Sequence, residues 1–187
     1  MDVSTAIGSV FAAFGLSGAA GLNSWLPLFA GALLNRLDAV ELGAPFDELS
    51  STTGLVVLGT LMAADFVGDK IPVVDSALHA VGAVIAPLAG AALFTGQTDI
   101  ETGIPTGVAA VIGAVMAGVV HGARAVVRPA STATTAGAGN PALSLIEDLT
   151  SGLLVAVAFI LPVVAFLLVI GVLVLLASGW RRVRTSS

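Results

Sequence analysis

The chain has 187 residues, of which 57% are hydrophobic and only 10% charged, with a formal net charge of −5. A soluble domain carries about 25% charged residues, so a water-facing globular enzyme is excluded on surface chemistry alone. The mean hydropathy of +1.05 and the gathering of apolar residues into long blocks between short charged knots predict an all-α integral membrane protein, one polytopic domain over residues 1–187. Zero cysteines exclude disulfides and thiolate chemistry.

In chain order, Met1-Asp2-Val3-Ser4-Thr5 lacks the basic leader of a secretory signal, so the first apolar block is expected to stay as a span. That block, Val3 to Asn35, would make roughly 50 Å of straight helix against a hydrocarbon core of about 30 Å. Gly15, Gly18 and Gly21 precede Leu22-Asn23-Ser24-Trp25-Leu26-Pro27, and two readings stand. One is a tilted, close-packed helix with Asn23 bonding across an interface. The other is a discontinuous helix, unwound at Gly21 to Asn23, lining a site. An acidic loop, Arg36 to Ser50, follows.

Leu49 to Ala64, completed by Asp65 to Asp69, is the second predicted span; Ser76 to Thr98 and Thr102 to Ala123 are the third and fourth. Ser131 to Gly139 reads as a small-residue connector, since it lacks the lysine of a phosphate-binding loop. The last uncharged block, Leu149 to Trp180, is again too long for one span. Pro162 lies where a turn is needed, which gives two helices, about Pro141 to Ile160 and Pro162 to Trp180. With the Arg181-Arg182-Val183-Arg184 tail inside, six of the seven cations face the cytoplasm. The expectation is therefore six spans with both termini cytoplasmic. The spans also group into two triplets, 3–98 and 102–180, and an odd number per copy would make the copies inverted.

Charges within a bilayer cost at least about 2.5 kcal/mol each, so those present face a bundle interior, a cavity or the interface. Asp65, Asp69, Lys70, Asp75, His79, His121, Arg124, Arg128, Glu147 and Asp148 all fall in the cytoplasmic third of the expected arrangement, and Asn23 is expected to join them in lining a cytoplasm-facing cavity. Acids and bases at one depth can pair structurally, form an ion or proton relay, or recognise a lipid phosphate through Arg124, Arg128 and Lys70. Asp65, Asp69, Asp75 and His79 also offer oxygen and imidazole ligands for a metal. There is no HExxH and no GxSxG, so no catalytic residue is assigned and no cofactor is expected. Basic residues are too few for nucleic acid. The expected surroundings are the lipid bilayer, with a homo-oligomer or larger membrane complex as the possible assembly. Trp180 beside Arg181 reads as an interfacial anchor.

The segments Gly21 to Leu28, Asp65-Phe66-Val67-Gly68-Asp69-Lys70-Ile71-Pro72-Val73-Val74-Asp75, His121-Gly122-Ala123-Arg124, Asn140-Pro141 and Ser144-Leu145-Ile146-Glu147-Asp148 together resemble a small bacterial membrane-protein family catalogued as domain of unknown function 4126. The resemblance spans nearly the whole chain. It implies a bacterial polytopic membrane protein and brings no activity, substrate or catalytic residue. The functional expectation is a small transporter or channel-like carrier with Asp65 and Glu147 as coupling carboxylates and Arg124 as countercharge. Its rivals are a non-catalytic subunit or assembly factor of a larger complex, and a metal-dependent or lipid-phosphate-handling enzyme.

Overall fold

In lipid every backbone N–H and C=O must be satisfied within the chain, and helices do this segment by segment. The computed structural model describes residues 3–100, 102–135 and 139–185, and the described residues form helices joined by short turns. In order these are α1 (Val3–Leu22), α2 (Trp25–Arg36), α3 (Phe46–Leu49), α4 (Thr52–Gly68), α5 (Pro72–Thr98), α6 (Thr106–Thr135), α7 (Asn140–Ile160) and α8 (Pro162–Thr185). Four helical segments are long and apolar enough to cross a membrane, Val3–Leu22, Ala77–Thr98, Thr106–Ala125 and Asn140–Ile160, and two shorter apolar ones are Thr52–Gly68 and Pro162–Leu175. The predicted turn at Pro162 separates α7 from α8. By contrast, residues 131–135 continue α6 instead of forming a connector, because Ala, Ser and Thr extend a helix that is already nucleated at little cost.

The first block is two helices, so the continuous tilted reading does not hold. The chemistry of the break is local. A helix continued through the break would need the nitrogen of residue 27 to donate to the Asn23 carbonyl, and Pro27 has no N–H to give. The Asn23 side chain supplies the alternative, since its Oδ1 accepts from the backbone nitrogens of Trp25 (3.0 Å) and Leu26 (2.9 Å). That is the bonding of a helix N-cap. The other reading contributes one correct element, for Asn23 also bonds across helix interfaces.

α1 is the hub, packed against α5, α6, α7 and α8; from Gly15 to Leu22 every residue is buried. Contacts at both ends of each pair give the directions. Phe14 meets Phe94 edge-on and the Ser17 hydroxyl donates to the Gly90 carbonyl, so α5 runs antiparallel to α1. Ala13 clusters with Ala109, and Gly21 lies on Ala117 and Val120, so α6 runs parallel to it. Gly15 faces both Ala158 and Ala165 across the α7–α8 turn. From there α7 recedes to Ser151, whose hydroxyl donates to the Ala19 carbonyl, while α8 advances to Val169 against Gly18. α7 is thus antiparallel and α8 parallel to α1. Small residues at these crossings let the backbones approach.

α2 doubles back. Its start lies by Asp65 of α4, Phe29 lies on Gly59, and Asn35 at its end donates to Ser50 just before α4 begins. The Gly43 amide then donates to the Gly96 carbonyl near the end of α5. The α1–α2 pair is therefore a hairpin that enters the bundle from the end holding the acidic loop and turns inside, at Asn23. α6 continues for eleven residues past Arg124 and α7 starts eight residues before Asp148, about 12–16 Å of helix beyond the turn.

Two expectations are corrected by this geometry. The Val3 end of α1 and the Thr185 end of α8 lie at opposite ends of the bundle, because the first block contributes two antiparallel helices where one span was expected. For the same reason 3–98 and 102–180 are not inverted copies, since their first helices, α1 and α6, run parallel.

Candidate functional site

The α1–α2 break brings two helix ends together. At the end of α1 the Gly21 carbonyl accepts from Arg124 Nη1 at 3.3 Å, a cation on the negative end of the helix dipole. The other guanidinium nitrogen, Nη2, makes an ion pair with Glu147 Oε2 at 2.6 Å, both side chains being largely buried. At the start of α2, because the Trp25 and Leu26 amides can only donate, the oxygen of the Asn23 carboxamide must face them and its nitrogen must face away. That nitrogen donates to Asp148 Oδ1 at 2.8 Å and to Asp65 Oδ2 at 3.3 Å. One side chain thus caps a helix and joins α2 to both α4 and α7.

Glu147 and Asp148 are neighbours in sequence but about 100° apart around α7, and they serve different partners. Glu147 reaches Arg124 on α6, and Asp148 reaches Asn23 at the break. On the other side of the site the two histidines stack, His79 of α5 and His121 of α6, with ring centroids 4.6 Å apart and planes 25° from parallel. His121 lies on Gly82, where a methyl group would come within 2.6 Å of its Cε1. His121 Nε2 is 3.2 Å from the His79 carbonyl.

These groups surround a cavity of about 210 Å³, room for several waters at about 30 Å³ each. Asn23, Asp65, Asp69, Asp75, His79, His121, Arg124 and Asp148 all contribute to its wall, and of these Asn23, Asp69, Asp75, His121 and Asp148 are buried. Glu147 stands behind Arg124. Lys70 is turned to its neighbours, its Nζ 2.6 Å from Asp69 Oδ1 and 4.1 Å above the Phe66 ring. Arg128 is on α6, but its side chain lies outside the described residues.

Asp65, Asp69, Asp75 and His79 share this wall without forming a metal cage. Among the described residues, no three of His, Asp and Glu come close enough together to hold a metal ion. The sequence reading also missed part of the site. Trp25, Gly82, Leu61, Val81 and Ile85 line the cavity too. An apolar residue facing a cavity and one facing lipid give the same sequence signal, so only Trp25, beside Asn23, was marked by its place in the chain.

No curated protein and no solved structure matches the chain. Residues 10–182 match the model of the family described as Domain of unknown function (DUF4126), and the chain belongs to that family.

Proposed function

We propose that the protein is a small proton-coupled membrane carrier whose working site is the cavity at the α1–α2 break. The observation that carries this reading is the hairpin turn itself, where unwound backbone and two opposed helix ends meet acids, a guanidinium and two imidazoles around an open space. Discontinuous helices are tolerated at membrane depth where they line such a cavity. Asp65 and Asp148 are the coupling carboxylates of the proposal, both linked through Asn23. Glu147 instead holds Arg124, so its earlier assignment as a coupling group passes to Asp148. The Arg124–Glu147 pair is the part of the cluster best explained as structural, and it keeps α6 and α7 in register.

Six of the seven cations lie at the end of the bundle holding the cavity or on α8 leading to it, and Arg36 lies at the other. The bias of cytoplasmic loops toward Lys and Arg assigns the cavity end to the cytoplasm of a bacterial inner membrane. On this reading α4 to α8 are five crossings, and the α1–α2 hairpin enters from the outer side. The test is proton flux into proteoliposomes loaded with a pH-sensitive dye under an imposed potential. Wild type is expected to conduct, and Asp65→Asn and Asp148→Asn to abolish the flux. Full flux in both variants would sink the coupling role.

A further inference from the structure

We propose, resting on the carrier reading, that the cavity takes an amphipathic ammonium, a primary amine with an apolar body, admitted sideways from the bilayer between α4 and α5. The wall of the cavity is two-sided. Its inner part is Asn23, Asp65, His121, Arg124 and Asp148, whereas its outer part is Leu61 and Ala64 of α4 with Val81 and Ile85 of α5. Leu61 is 37% and Val81 55% exposed, so the cavity reaches the apolar outer surface of the bundle. α4 rests mainly on α2 and touches α5 lightly, which is why an opening exists there. A solute drawn from water alone has no use for an apolar mouth, whereas one dissolved in the bilayer keeps its chain in contact with lipid while its head moves inward.

The head must be a cation rich in hydrogen-bond donors. Four carboxyl groups line the cavity, from Asp65, Asp69, Asp75 and Asp148, against Arg124, already committed to Glu147, and Lys70, already committed to Asp69. Two acceptors in this wall are buried without a hydrogen bond, Asp148 Oδ2 and His121 Nδ1, on residues that are themselves more than nine-tenths buried. The His79 carbonyl can only accept, so His121 Nε2 carries the ring proton. In the neutral ring Nδ1 is then a bare lone pair. Arg124 Nε is a buried donor of the wall without a hydrogen bond, which matches a neighbouring hydroxyl or ester oxygen of the ligand. A buried polar atom without a partner is costly, and an ammonium has three N–H donors to offer such acceptors. Trp25, also in the wall, adds an aromatic face to which a cation is attracted.

The experiment reads Trp25 fluorescence in nanodiscs, using a Trp180→Phe background so that Trp25 is the sole tryptophan. Octylammonium is expected to give a saturable change, bound on the order of a hundredfold tighter than methylammonium because several methylenes leave water. Octyl sulfate is expected to give none. Asp148→Asn should weaken octylammonium by about tenfold or more. Leu61→Phe with Val81→Phe, both on the lipid-facing rim and harmless to packing, should do the same by filling the mouth. Equal responses to octylammonium and octyl sulfate would overturn the choice of a cation. Equal affinities for octylammonium and methylammonium would overturn the lateral mouth, and so would an unchanged affinity in the rim variant. Phosphatidylethanolamine in the nanodisc suppresses the response if the natural source is a lipid headgroup, and leaves it intact if the source is a free amine. Binding without proton flux would remove the carrier reading and leave the site; flux without any Trp25 response to amines would do the reverse.

Discussion

Replacing Asn23 by Asp retains an oxygen to accept from the Trp25 and Leu26 amides, so the N-cap of α2 survives. It removes both donated bonds, to Asp148 Oδ1 at 2.8 Å and Asp65 Oδ2 at 3.3 Å, and sets a third carboxyl beside those two. A hydrogen bond to a charged group contributes about 1.5–3 kcal/mol. The shorter bond at full strength and the longer at the low end put the loss at about 4–5 kcal/mol. The change is reversible in a specific way, since Asn23→Asp combined with Asp148→Asn restores one amide facing one carboxylate across the same gap. A double-mutant cycle should therefore return a coupling of about 1.5–3 kcal/mol in favour of the swapped pair. The assay is reversible unfolding in mixed micelles followed by circular dichroism, with midpoints compared at constant slope. If Asn23→Asp is as stable as wild type, or the double variant is no better than the sum of the singles, the assignment of Asn23 as both cap and donor is refuted.

Gly21→Ala should destabilise by about 1–3 kcal/mol, because a methyl there would lie 2.5 Å from the Val120 Cβ and 2.6 Å from the Ala117 carbonyl; Gly8→Ala and Gly171→Ala, which meet nothing within 4 Å, should leave the unfolding midpoint no lower than that of wild type. Glu147→Gln strands a mostly buried guanidinium and should cost about 3 kcal/mol in the same assay while flux persists, the opposite of Asp148→Asn. In this naturally cysteine-free chain, single cysteines at Thr5 and Asp38 should react with an impermeant maleimide from one side of the membrane and a cysteine at Thr135 from the other. Labelling of Thr5 and Thr135 from the same face would contradict the hairpin.

Much of the molecule was legible before any coordinates. Absence of charge over about twenty residues marks a helix that lipid can surround, and this alone located the bodies of α4, α5, α6 and α7 and the Pro162 turn. A charged or strongly polar group inside such segments is too costly to be incidental, so Asn23, Asp65, His121, Arg124 and Asp148 could be singled out, and they line one cavity. What hydropathy does not encode is direction. Val3 to Asn35 reads as one apolar block whether it crosses once or turns back, and the turn depends on a single asparagine meeting carboxylates from α4 and α7, over 40 and 125 residues away in the chain. That contact reversed the expected side of the α1 start and removed the inverted-repeat reading.

Sequence by itself determined that the chain is helical and suited to lipid, and which polar groups it commits to one end, because transfer free energies are properties of residues taken one at a time. Tertiary structure alone decided who faces whom. Glu147 and Asp148 divide between Arg124 and Asn23 because of the rotation of α7 relative to α6 and the break. His79 stacks on His121 because Gly82, Gly90 and Gly113 let α5 and α6 close to backbone contact at one register. Helix phase and register are collective outcomes of packing, so the cavity, its bare acceptors and its apolar mouth emerge only when all the helices are in place.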